Sequence, residues 1–97
     1  GGLVDNLPRV VPEQLTVVLD ASTWDIPPIF RLIQSRGGIA WSEMVRVFNV
    51  GLGYILICRP ADLPAVLERT RDAGARYVGT VRERQGDGPR VIVEGLA

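Results

Sequence analysis

Ninety-seven residues make at most one small domain, and a chain of this length buries only about 60–65% of its unfolded surface. The 46% apolar content suits a folded globule and lies far from the disordered range. Eleven arginines balance eleven acidic residues, so no long-range field steers the chain to nucleic acid or to an anionic membrane. Lysine and histidine are both absent, which leaves a carboxylate, a tyrosine or the single thiol as any general base. Cys58, being alone, excludes an internal disulfide or a cysteine metal cluster. It ends an apolar run, so a buried structural thiol is expected. No apolar stretch approaches the roughly 18 residues of a membrane span, and no signal-peptide pattern opens the chain. A cytoplasmic location is the expectation.

The elements read in chain order as helices alternating with strands. Leu3 to Leu7 predicts a brief helix after the Gly1-Gly2 turn, ended by Pro8. Leu15 to Asp20 is short, apolar and β-branched, a strand buried on both faces. Pro27-Pro28 pre-set the first turn of a helix whose Ile29, Phe30 and Ile33 form one apolar face. Gly37-Gly38 stop it. Ser42 is placed to cap a second short helix with Met44, Val45 and Phe48 on its buried side. Leu52 to Cys58 gives the strongest strand signal. Asp62 then caps a helix carrying Leu63, Val66, Leu67, Thr70 and Ala73, terminated by Gly74. Tyr77 to Arg84 and Arg90 to Glu94 are predicted strands joined by a hairpin-like turn at Gln85-Gly86-Asp87-Gly88-Pro89. The order predicts an α/β (α+β) layered domain with a mixed sheet. The strands around the Asp62–Ala73 helix would form a βαβ unit if parallel, or part of a ferredoxin-like split unit.

Two glycine clusters carry the candidate chemistry. Gly1 and Gly2 precede a helix, so free N–H groups and the positive dipole end make a phosphate seat plausible there. Asn49-Val50-Gly51-Leu52-Gly53 follows a helix C-terminus, where the dipole disfavours an anion. Binding at that end needs the amides of the turn itself or the Asn49 side chain. Glycine after a helix is usually only a C-cap, and a lone Gly-x-Gly says little, so the residues alone favour the structural role. The cluster is not a dinucleotide fingerprint, because it precedes a strand instead of joining strand to helix. Arg9 and Arg46 are the best candidate anion ligands, their planar forks matching phosphate oxygens. The alternative is an ordinary surface ion pair, with Glu43 three positions from Arg46. Asn6 either meets a polar substrate or caps the Pro8 turn. Trp24 and Trp41 suit core or interface anchors. Asp5, Asp20 and Asp25 show no metal-ligand spacing.

Three motifs in order cover nearly the whole chain. They are Asn6-Leu7-Pro8-Arg9-Val10-Val11-Pro12 after the glycines, Trp24-Asp25-Ile26-Pro27-Pro28-Ile29-Phe30, and Glu43 to Tyr54. Together they resemble the C-terminal part of the C-terminal domain of phosphoribosylformylglycinamidine cyclo-ligase, the aminoimidazole ribonucleotide synthetase of purine biosynthesis. Val47 stands where the family usually has threonine, and Tyr54 where it has methionine. The resemblance implies a layered α/β/α domain, partly ferredoxin-like and here truncated, with the ATP-binding N-terminal domain absent.

The same resemblance implies a parent enzyme that uses ATP and magnesium to close the imidazole ring of formylglycinamidine ribonucleotide. Neither cofactor is expected on this chain alone, which should be inactive by itself. Gly1, Gly2, Asn6, Arg9, Asn49, Gly51 and Gly53 are then the residues lent to a phosphorylated small-molecule substrate, and none is catalytic. A homo-oligomer is expected, partly because apolar strands at Leu15–Asp20 or Leu52–Cys58 would be short of partners. Alternatives are a sibling synthetase of the same superfamily or a non-enzymatic module that binds a metabolite or dimerises.

Overall fold

In the computed structural model, which describes residues 1–96, helix α1 (Leu3–Asn6) runs directly into a 3₁₀ turn at Leu7–Arg9. The chain then enters β1 (Leu15–Asp20), the middle strand of a three-stranded mixed sheet. β2 (Gly79–Glu83) pairs with β1 antiparallel and β3 (Val91–Glu94) pairs with it parallel. Val17 sits opposite Val81 on one side and Val91 on the other. Side chains alternate along a strand, so Leu15, Val17 and Leu19 share a face with these two valines. Val17, Leu19 and Val91 are buried there with Leu3, Leu7, Val11, Trp24, Ile26, Val45 and Val50. Burying each such aliphatic side chain is worth about 1.5–3 kcal/mol before the entropy of ordering it.

Between β1 and β2 lie three further helices, α2 (Pro28–Gly37), α3 (Trp41–Val47) and α4 (Leu63–Arg69). Gly38 adopts φ +60° and closes α2 as expected from its glycine pair. Of the expected α2 face, Phe30 packs against Phe48 at 5.6 Å between ring centroids. Ile29 is exposed, and no residue of α2 is buried. α3 does bury Met44 and Val45.

The expected α+β class with a mixed sheet is what the chain forms, but several local expectations are corrected. β1 is not short of partners, since both its edges are paired. Leu52–Cys58, by contrast, forms no strand. No backbone hydrogen bond joins Gly53–Cys58 to any other described residue. Tyr54, Leu56 and Ile57 are exposed, and Cys58 is an exposed thiol instead of a buried one. No βαβ unit precedes β2, because its first strand is missing.

Gln85–Pro89 is not a hairpin turn either, because it carries the chain across β1 from one sheet edge to the other. The Thr16 hydroxyl donates to the Pro89 carbonyl at 2.9 Å and Arg84 Nε to the Gly88 carbonyl at 2.6 Å, which pins that crossing. Ser42 is not a cap, since α3 already begins at Trp41 with Ala40 before it. Asp62 makes no capping bond. The acceptor would need an N–H at the second or third helical residue, and the second is Pro64. Asp62 closes a 3₁₀ turn (Pro60–Asp62) and pairs with Arg59 at 3.4 Å.

Candidate functional site: two glycine segments and the helix between them

α1 is only four residues long, too short to hold itself together, and its stability comes from docking on α3. The Gly2 amide donates to the Arg46 carbonyl at 3.0 Å, at the last turn of α3. A Cβ on Gly2 would lie 2.5 Å from the Arg46 carbonyl carbon and oxygen, so only glycine fits. The Gly2 carbonyl accepts from the Asn6 backbone at 3.1 Å and from Asn6 Nδ2 at 3.0 Å. Asn6 therefore folds back on the start of its own helix and does not cap the Pro8 turn. A Cβ on Gly1 would lie 2.6 Å from Asn6 Nδ2, the side-chain end that holds the Gly2 carbonyl.

Arg46 spends its guanidinium on Glu43, with Nε 2.9 Å from Oε2 and Nη2 on Oε1, and its Nη1 lies 3.8 Å from Asp5. The hydrogen bond from Arg46 holds the Glu43 carboxyl below the usual carboxylate range. The ion-pair alternative for Arg46 is thus the one the fold adopts. All three side chains are about half exposed, which keeps the energetic worth of the pairs small. Arg9 is exposed on the 3₁₀ turn and enters no ion pair among the described residues. Its turn is clamped from the residue just before β3, where Arg90 Nη2 donates to the carbonyls of Val11 at 2.6 Å and Pro8 at 3.3 Å. Sequence reasoning missed Arg90, whose partners are carbonyls that no side-chain pattern announces.

After α3 the chain turns sharply. Asn49 Oδ1 accepts from the Gly51 amide at 2.8 Å, and the Leu52 amide donates to the Asn49 carbonyl at 3.0 Å. Val50 between them is fully buried with φ +46°. The buried Trp24 indole N–H donates to its carbonyl at 3.1 Å. Gly51 has φ +106°, and a Cβ there would lie 2.7 Å from Pro27 Cδ, so both backbone and packing require glycine. Gly53 differs from Gly2 and Gly51. It is exposed, with nothing within 4 Å of a would-be Cβ. Nothing in the described residues explains it sterically.

The fold brings Gly1, Gly2 and Asn6 onto the end of α3, from which Asn49 follows directly. Gly51 and Gly53 instead line an open, mainly apolar cleft of about 1230 Å³ with Trp24, Tyr54, Leu63 and Tyr77. Gly1, Gly2, Asn6, Arg9 and Asn49 do not line that cleft. No group of three or more His, Cys, Asp or Glu lies together among the described residues to hold a metal ion. No described helix is long and apolar enough to cross a membrane.

Residues 1–92 match the family of AIR synthase related proteins, C-terminal domain. The chain belongs to this family. Among similar proteins, the phosphoribosylformylglycinamidine cyclo-ligase of Nitrosospira multiformis is 42% identical over 97% of the chain. Those of Burkholderia mallei and Burkholderia vietnamiensis are each 45% identical over 96% of it. The chain spans 27% of the length of each of these relatives. The Gly2–Arg46 docking and the Trp24–Val50 bond described above thus belong to an AIR synthase related C-terminal domain.

Proposed function

We propose that this chain forms a substrate-side wall of a cyclo-ligase that closes the imidazole ring of formylglycinamidine ribonucleotide at the expense of ATP. The observation that carries the proposal is the docking of α1 on the last turn of α3. It makes neighbours of the Gly1–Asn6 segment and the helix that leads into Asn49. In this reading Arg9 meets the substrate phosphate with a charge-assisted contact. Asn49, Gly51 and Gly53 offer the turn between α3 and Leu52. Gly1, Gly2 and Asn6 contribute the shape of the opposite rim, since the Gly2 amide and carbonyl are engaged within the chain. The work of these residues is binding and orientation, worth rate through positioning, and no proton transfer is assigned to them. ATP and magnesium belong to the parent protein in this reading. Among the described residues no three His, Cys, Asp or Glu side chains lie together to hold magnesium.

The test is a chimera in which this chain replaces the matching 27% of the Nitrosospira multiformis cyclo-ligase. Arg9→Ala is expected to lose about 1.5–3 kcal/mol of binding, roughly 10- to 100-fold in kcat/KM. Asn49→Ala, losing a neutral bond, falls by less. Arg36→Ala, exposed in the last turn of α2 and away from the cleft that Gly51 and Gly53 line, serves as the control. An Arg9→Ala enzyme with the control's kinetics sinks the assignment. A second reading is favoured by the exposed Tyr54, Leu56 and Ile57: a non-enzymatic module that associates with another polypeptide.

A further inference from the structure

Val50 holds the least comfortable backbone in the chain. Among the described residues it is the one non-glycine residue with positive φ. A β-branched residue in the left-handed region is a genuine outlier, and such a geometry persists only where its surroundings over-determine it. Three contacts supply that constraint. The Trp24 indole N–H donates to the Val50 carbonyl at 3.1 Å, within the buried interior. On the C-terminal side the Gly51 amide is tied to Asn49 Oδ1 at 2.8 Å. Pro27 closes over Gly51, leaving no room for a Cβ. The valine side chain itself is fully buried in the core cluster.

Trp24 is in turn anchored to the sheet. It follows a 3₁₀ turn, Ala21–Thr23, that caps the end of β1. There Asp20 Oδ1 accepts from the Ser22 amide at 3.0 Å and from its hydroxyl at 2.6 Å, and the Thr23 hydroxyl donates to the Asp20 carbonyl at 2.6 Å. A chain of short contacts thus runs from the central strand through Trp24 to Val50. Beyond Val50 the backbone emerges at Gly53 into open space. Glycine at position 50 would take the same φ without strain. Valine leaves the turn dependent on the indole bond.

We propose that Trp24 is a positioning residue for the Asn49–Gly53 turn, holding Val50 left-handed so that Asn49 and Gly53 are presented outward to the bound substrate. The proposal rests on the reading that this turn meets substrate, and it has a structural arm that does not. Trp24→Phe keeps a ring but removes the donor. In the chain itself, scalar couplings should show Val50 leaving positive φ. In the chimera, KM should rise roughly tenfold, the cost of about one buried hydrogen bond, with kcat within about twofold.

Adding Val50→Gly should restore KM, because glycine needs no clamp to adopt this φ. A merely structural tryptophan makes the opposite forecast, since deleting a buried valine side chain only worsens packing. Unchanged φ in Trp24→Phe overturns the proposal, as does a raised KM that Val50→Gly fails to rescue. A relaxed φ with unchanged KM, where Asn49→Ala does raise KM, overturns it too. If Arg9→Ala and Asn49→Ala both leave KM unchanged, the substrate reading has failed, and the coupling data still decide the clamp. Should Trp24→Phe alone not fold, the double variant decides: a folded protein with native KM supports the proposal, and an unfolded one overturns it.

Discussion

Gly2 and Gly53 are both substrate-side candidates yet face opposite physical constraints, and an alanine at each separates structure from function. A methyl on Gly2 would lie 2.5 Å from the Arg46 carbonyl carbon and oxygen and 2.5 Å from the Val45 oxygen. All three are backbone atoms of a hydrogen-bonded helix and cannot turn aside as a side-chain tip can. Relieving that overlap by moving α1 costs about 1–3 kcal/mol, by analogy with overpacked cores. The Gly2–Arg46 bond, lost as α1 lifts, adds about 1 kcal/mol. A total of roughly 2–4 kcal/mol lowers the melting temperature of a domain this small by about 8–32 °C. Gly53→Ala meets nothing within 4 Å and has no positive φ to lose, so its melting temperature should stay within about 2 °C of the parent. Thermal unfolding followed by circular dichroism reads both variants. Amide exchange at Leu3 and Leu7 reports whether α1 undocks. Two variants that melt together would refute the reasoning, and Gly1→Ala, which displaces the Asn6 amide from the Gly2 carbonyl but meets no backbone, should fall between them.

Other outcomes follow from the same structure. The bond from Arg46 lowers the Glu43 pKa below 4.5, so its stabilisation is complete above that pH and lost as pH falls through the lowered value. Melts taken across the acid range should fall less steeply for Glu43→Gln than for the parent, and equal slopes would remove the pair from the acid response. The unpaired apolar run Tyr54–Cys58 should drive self-association. Sedimentation velocity should then show dimers or larger species, which Leu56→Lys dissociates, and a clean monomer at high concentration contradicts this. Calorimetric titration of the chain with magnesium-ATP should show weak binding or none, and micromolar affinity would overturn the placement of ATP outside this chain.

Much of the fold was legible because the signals were local. The β-branched run at Leu15–Asp20, the Pro27-Pro28 start and Gly37-Gly38 stop of α2, and the apolar side of α3 each depend on residues near in sequence. The family motifs were readable for the same reason, being short contiguous strings. Leu52–Cys58 was misread because a strand needs a partner, and this run pairs with none of the described residues although β2 and β3 each keep an open outer edge. Composition reports a willingness to pair, whereas pairing depends on residues far along the chain.

The glycines divide along the same line. Sequence alone marked Gly2, Gly51 and Gly53 as substrate-side candidates in two clusters of opposite helix polarity, and only tertiary contacts told what each position requires. Gly2 lies flat on the backbone of α3, Gly51 fits beneath Pro27, and Gly53 is free. The Trp24–Val50 bond and the Arg90 clamp on the Pro8 turn were likewise invisible beforehand. Each pairs a side chain with a distant main-chain carbonyl. Every residue but proline offers the same amide and carbonyl, so no residue type announces which carbonyl will be met.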